Sequence, residues 1–169
     1  VSGINATVFG GSSPLGMNIG GRLTQMGSTC VYPHRSTGDF SNSIFREVRV
    51  AADLGYKTGI KLTDFTDQDE IDVTLTHSNV VVCAIGSRKF HNTHKDFEDA
   101  NINVPRTIAK AVKDKGDKIK RFIYVSAAGA DPNSSSRRLR TKWIGEQEVK
   151  EIFPDVTILR PTTMFNEYD

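Results

Sequence analysis

Residues 7–16, TVFGGSSPLG, join a short β-rich run to a stretch with helical apolar spacing, and their residue types suit work at a phosphate. Gly10 stands where a strand must turn sharply, and Gly16, six positions on, lets a following helix pack close to the sheet. Between them the backbone N–H groups of Gly11, Ser12 and Ser13, with Pro14 and Leu15 opening the helix, are candidates to face a pyrophosphate at the helix N-terminus. The middle position of the G-x-x-G-x-x-G pattern is Ser13 rather than glycine. Taken alone the loop fits a plain tight turn as well; its place between a strand and a helix favours phosphate. A methyl group at Gly11 is expected to fit unless φ is positive there.

The next strand-like run ends VYPHRS, with His34 and Arg35 and no carboxylate before Asp39. A carboxylate at that place holds a ribose 2′-hydroxyl, whereas a guanidinium offers paired N–H donors to a 2′-phosphate. The residues therefore favour NADPH over NADH. Asp64, in LTDFTD, is placed to meet an adenine amino group, and Ala84, Ile85 and Gly86 in CAIG offer small residues at a strand end beside the riboses.

These residues need a scaffold, and the chain alternates. Strands are expected over 6–10, 28–33 (closed by Pro33), 59–65, 79–86, 119–129 and 156–161. Helical patterns lie between them, over 15–27 (stopped by Gly27), 66–77 (capped by Thr66 or Asp67), 96–116 (kinked or ended by Pro105) and 134–153 (capped by Ser134 or Ser135). Residues 36–58 read as either a helix or an irregular connection. Alternating strands and helices predict an α/β fold, a doubly wound parallel sheet of the Rossmann type, as one domain over residues 1–169.

Composition excludes little and agrees with this. The 169 residues are 37 % hydrophobic and 25 % charged, with a net charge of +2, too small to imply a polyanionic partner. Cys30 and Cys83 sit far apart in apolar runs and read as buried free thiols rather than a disulfide or metal site. No run of 18 apolar residues suggests a membrane span. His91 and His94, near Asp96 and Glu98, read as a polar surface loop rather than metal ligands.

Several phrases resemble one family. ATVFGGSSPLG, HSNVVVCAIG, DFEDANINVPRTIAKA, RFIYVSA, SSSRRLRTKWIGE and ILRPTTMF are similar to the atypical short-chain dehydrogenase/reductases. Within them the chain resembles the branch of NADPH-binding accessory subunits of mitochondrial respiratory complex I (NADH:ubiquinone oxidoreductase). The resemblance implies a nucleotide-holding, non-catalytic subunit on the peripheral arm, at the matrix side of the inner membrane, among the other subunits of the complex. It adds Pro161 to the cofactor-contacting candidates. It also implies a further C-terminal region for substrate or docking, not represented in these residues.

Active relatives carry a tyrosine four residues before a lysine, with a serine at the end of the fifth strand. Here Ser126 and Lys142 match, but the tyrosine position is Arg138. A guanidinium does not give up its proton near neutral pH, so no catalytic acid/base residue is expected. The basic run Arg137, Arg138, Arg140 and Lys142 spreads over more than one helix face and carries only Trp143 as an aromatic, which disfavours nucleic acid. The alternatives are an active NADP-dependent reductase or epimerase, and a dinucleotide-sensing regulator.

Overall fold

The computed structural model describes residues 2–35, 56–87 and 94–165. Among them, β1 (Asn5–Phe9), α1 (Pro14–Gln25), β2 (Thr29–His34), β3 (Tyr56–Lys61), α2 (Gln68–Thr74) and β4 (Val80–Cys83) follow in order. Then α3 (His94–Glu98) runs through a π-helical turn (Asp99–Asn103) into α4 (Val104–Asp114), followed by β5 (Arg121–Val125), α5 (Arg137–Ile152) and β6 (Thr157–Leu159). The strands form one sheet in the order β3-β2-β1-β4-β5-β6, every neighbour parallel. The chain reverses its direction of travel across the sheet between β1 and β4, so a crevice opens there at the carboxyl ends.

Alternation along the strands supplies two cores. Ala6, Val8, Cys30, Tyr32 and Val82 face α1, where Ile19 and Leu23 cover them. Phe9, Val81 and Phe122 face the other way, against Ile71 of α2, Ile108 and Val112 of α4, and Val149 of α5. Both cysteines are free and buried, and burial pushes each thiol up to about 11. They pack as small apolar residues.

The structure corrects several element boundaries. The third strand lies over 56–61 rather than 59–65. It stops because Glu70 accepts the N–H groups of Thr63 and Asp64 at 2.6 and 3.1 Å, while Asp67 caps α2 by accepting from Asp69 and Glu70. Pro33 does not close β2 but lies within it. β1 pairs only as far as Val31, and the last bond to β3 uses the carbonyl of the next residue, His34 (2.8 Å from Leu62 N). Pro33 therefore faces the side where no N–H is required. The cap of α5 is Ser136, not Ser134 or Ser135, and its hydroxyl makes no capping bond; the Ser134 hydroxyl instead accepts the Ser136 N–H. Most of the stretch 36–58, including all of 36–55, lies outside the described residues, as does His91.

Candidate functional site

A cleft of about 790 Å³ occupies the crevice between β1 and β4. It brings together eight of the expected residues: Gly10, Ser12, Ser13 and Pro14 from the first loop, Arg35 after β2, and Ala84, Ile85 and Gly86 after β4. Leu15, Gly16, Asp64, Ser126, Lys142 and Pro161 are not part of its lining. Phe65, Asp96 and Asp99, which were not among the expected contacts, also line it.

The first loop is held tightly from within. Gly10 has φ +86°, and a Cβ there would stand 2.8 Å from the Ala84 carbonyl. A Cβ on Gly16 would run into the Gly10 carbonyl, so the start of α1 lies directly on the loop. Ser13 caps α1: its hydroxyl accepts the Gly16 N–H at 3.1 Å and donates to the Gly10 carbonyl at 2.8 Å. Its own N–H also bonds Gly10, at 2.9 Å, so that donor is not available to a phosphate as expected. The N–H groups of Ser12 and Leu15 make no hydrogen bond within the described residues and remain for an anion. Gly11 is tighter than expected. Its φ is not positive, but a Cβ would collide with the ring of Tyr32, which also lies against Gly20 of α1.

Arg35 is exposed at the cleft edge, and its guanidinium carbon lies 5.5 Å from the centroid of the Phe65 ring. Asp64 beside it accepts the Thr66 N–H at 2.8 Å. That bond, with a smaller contribution from Arg35, holds the Asp64 carboxyl below its ordinary range.

Lys142 lies beneath the cleft floor. Its ammonium donates to the carbonyls of Ile85 (2.8 Å) and Val125 (3.0 Å), and sits 5.0 Å from the Tyr124 ring centroid. A Cβ on Gly86 would meet it at 3.0 Å. Burial is the main reason its pKa falls from 10.5 to about 8; Arg138 pushes the same way, while Cys83 and Glu146 oppose it. The Ser126 hydroxyl is buried and has no hydrogen-bond partner among the described residues.

Two further arrangements escaped sequence reasoning. In α-helical register the N–H of residue 105 would bond the carbonyl of Asn101, but residue 105 is proline. The preceding turn widens, with the Val104 N–H reaching Asp99, and the Asn101 carbonyl accepts the Tyr124 hydroxyl at 3.2 Å. Asn101 is fully buried, donates from its side chain to Thr141 at 2.9 Å, and packs on Gly145 of α5. Elsewhere, buried Glu146 receives a two-pronged contact from Arg160, at 2.9 and 2.6 Å. This fixes the chain just before Pro161, whose carbonyl accepts the Ala128 N–H at 2.8 Å. The GE and LRP letters were visible in the sequence; their pairing was not.

A Rossmann sheet with a glycine loop, a strand-end guanidinium and a crevice at its switch point defines a dinucleotide-binding domain. The profile of a family described as NAD(P)H-binding matches residues 35–168, and the chain belongs to that family. It is 41 % identical over 169 residues, its whole length, to the NADH dehydrogenase [ubiquinone] 1 alpha subcomplex subunit 9, mitochondrial, of Rattus norvegicus. It is 41 % identical to the mitochondrial NADH-ubiquinone oxidoreductase 40 kDa subunit of Neurospora crassa, again over its whole length. The chain spans 43 % of the length of each of these relatives. Among solved structures, a putative NAD-dependent epimerase/dehydratase from Bacillus halodurans superposes with a TM-score of 0.76 at 22 % identity, over 98 % of this chain and 73 % of that one. A metagenomic short-chain oxidoreductase in complex with NADP gives 0.69 at 19 % identity, over 98 % and 84 %. These two likenesses concern the fold. Among the described residues no helix is long and apolar enough to cross a membrane, and no cluster of three or more His, Cys, Asp or Glu is placed to hold a metal ion.

Proposed function

We propose that this chain is the nucleotide-holding part of a non-catalytic accessory subunit of respiratory complex I, at the matrix side of the mitochondrial inner membrane, with NADPH as its resident ligand. The relatives' names support the assembly and compartment. The cleft fits the nucleotide: the unpaired N–H group of Ser12 in its lining, with that of Leu15 next to Pro14 at the start of α1, would take the pyrophosphate, Arg35 the 2′-phosphate, and the small residues Ala84–Gly86 the riboses. Because only the folded chain binds it, NADPH would stabilise the fold by mass action.

The observation that carries the non-catalytic reading is the state of Lys142. In a working reductase this lysine and a tyrosine one turn earlier move a proton at the substrate. Here the ammonium is engaged with two strand carbonyls under the floor, and the position one turn earlier is Arg138. A positioned acid/base group typically contributes ~10²–10⁴ in rate.

The test follows oxidation of bound NADPH in a single turnover with excess ketones, aldehydes or sugar nucleotides. NADPH retained without substrate-dependent oxidation, in a protein that migrates with complex I on native gels, is the expected result. Oxidation at rates of order 1 s⁻¹ would establish the reductase reading instead.

A further inference from the structure

We infer that Phe65 sets the nucleotide preference of the cleft, as a platform holding the Arg35 guanidinium where a ribose 2′-phosphate would lie. This rests on reading the cleft as a dinucleotide site and names the residue on which its selectivity depends. Phe65 follows β3, lines the cleft, and is only 7 % exposed. Its ring is anchored on the inner side by fully buried Phe9, edge to face, with centroids 6.2 Å apart and planes at 73°. The outer face carries Arg35, 5.5 Å from its centroid. A rigid core residue thus supports a side chain that is otherwise exposed.

An exposed arginine spreads its guanidinium over many rotamers, and a phosphate that engages it must first collect them. Stacking on a fixed ring removes part of that freedom beforehand and leaves the guanidinium edge, with its paired N–H donors, free for phosphate oxygens. Asp64 adds a second restraint. Its carboxylate is tied in a turn by the Thr66 N–H, and it stands close enough to Arg35 for the two charges to interact. Phe65 is a positioning residue: in this arrangement it acts on the phosphate through Arg35, so it affects the nucleotide that has a 2′-phosphate and leaves the other alone.

The experiment measures dissociation constants for NADPH and NADH with the purified protein, its Phe65→Leu and Phe65→Tyr variants, and Arg35→Ala. Leucine keeps an apolar side chain against Phe9 but has no ring face; tyrosine keeps the face. Phe65→Leu should weaken NADPH about two- to fivefold and leave NADH unchanged, while Phe65→Tyr retains the original preference. In the Arg35→Ala background, Phe65→Leu should have no further effect on the NADPH:NADH ratio. If Phe65→Leu weakens both nucleotides by the same factor, the ring is a shelf for a part they share, and the inference is overturned while the dinucleotide site stands. An unchanged ratio in Phe65→Leu, with a normal thermal midpoint, overturns it equally. Failure of the unmodified protein to bind either nucleotide overturns the reading of the cleft and this inference together.

Discussion

The ammonium of Lys142 lies 2.8 Å from the carbonyl oxygen of Ile85, joining the middle of α5 to the end of β4. With its second bond to Val125 at 3.0 Å it ties the ends of two neighbouring strands together below the cleft. The ammonium itself lies beneath the cleft lining.

This placement predicts a pH dependence. Burial lowers the folded-state pKa of Lys142 from 10.5 to about 8. Between those values the unfolded chain holds a proton that the folded chain lacks, so stability rises with pH through the window and is level below it. Comparison of the unmodified protein with Lys142→Met by urea unfolding should show the difference moving in favour of lysine by up to about 1.4 kcal/mol per pH unit between pH 8 and 10. A difference constant across that range would mean the ammonium is far better solvated than its surroundings indicate.

Gly16→Val should eliminate nucleotide binding. The added side chain must enter the Gly10 carbonyl, so α1 is pushed off the loop that lines the cleft. Thermal shift with NADPH reads this directly: a variant that still folds should show no stabilisation. Retained stabilisation would place the phosphate site elsewhere.

Gly20 tests the packing beneath that loop. Alanine in mid-helix gains about 1 kcal/mol of propensity over glycine, so a free site would be stabilised. A Cβ here meets the Tyr32 hydroxyl and stands 2.5 Å from the adjoining ring carbon. We expect Gly20→Ala to destabilise by about 1–3 kcal/mol net, and by less in a Tyr32→Phe background. Equal losses in both backgrounds, by chemical denaturation, would exclude the hydroxyl as the obstacle.

The Glu146–Arg160 pair should respond asymmetrically. Glu146 is 2 % exposed and the Arg160 side chain 47 %. Arg160→Met strands a buried carboxylate and should cost about 2–3 kcal/mol, below the usual loss for a fully buried pair because water reaches the guanidinium side. Glu146→Gln leaves a guanidinium that can turn to solvent, and should cost less. Unfolding free energies in the reverse order would show that packing of the arginine stem dominates.

The sequence was legible where function lies in local backbone. TVFGGSSPLG announces a strand, a tight turn and a helix start, and the structure brings its Gly10, Ser12, Ser13 and Pro14 to the cleft with Arg35 and Ala84–Gly86. Helix and strand types were readable from periodicity, but the end of β3 was not, because a side chain of the following helix sets it: Glu70 takes the N–H groups of Thr63 and Asp64. Contacts between elements were invisible for the same reason. Nothing local to Gly11 reveals that Tyr32, 21 positions later, fills the space beside it. Lys142 could be aligned with a catalytic residue, yet only the fold reveals that two carbonyls hold it below the cleft.

The widened turn at Asp99–Asn103 acts as a vernier between two helical segments. One residue more than an α-helical turn requires rotates everything before it by about 100° relative to everything after it. Downstream, Ile108 and Val112 are thereby aligned with the sheet, while Asp96 upstream, and Asp99 at the first position of the turn, are aligned with the cleft. Deleting a single residue within the turn would make a smoother helix and a misaddressed one: the core face would stay in phase while the acidic side chains swung away from the crevice.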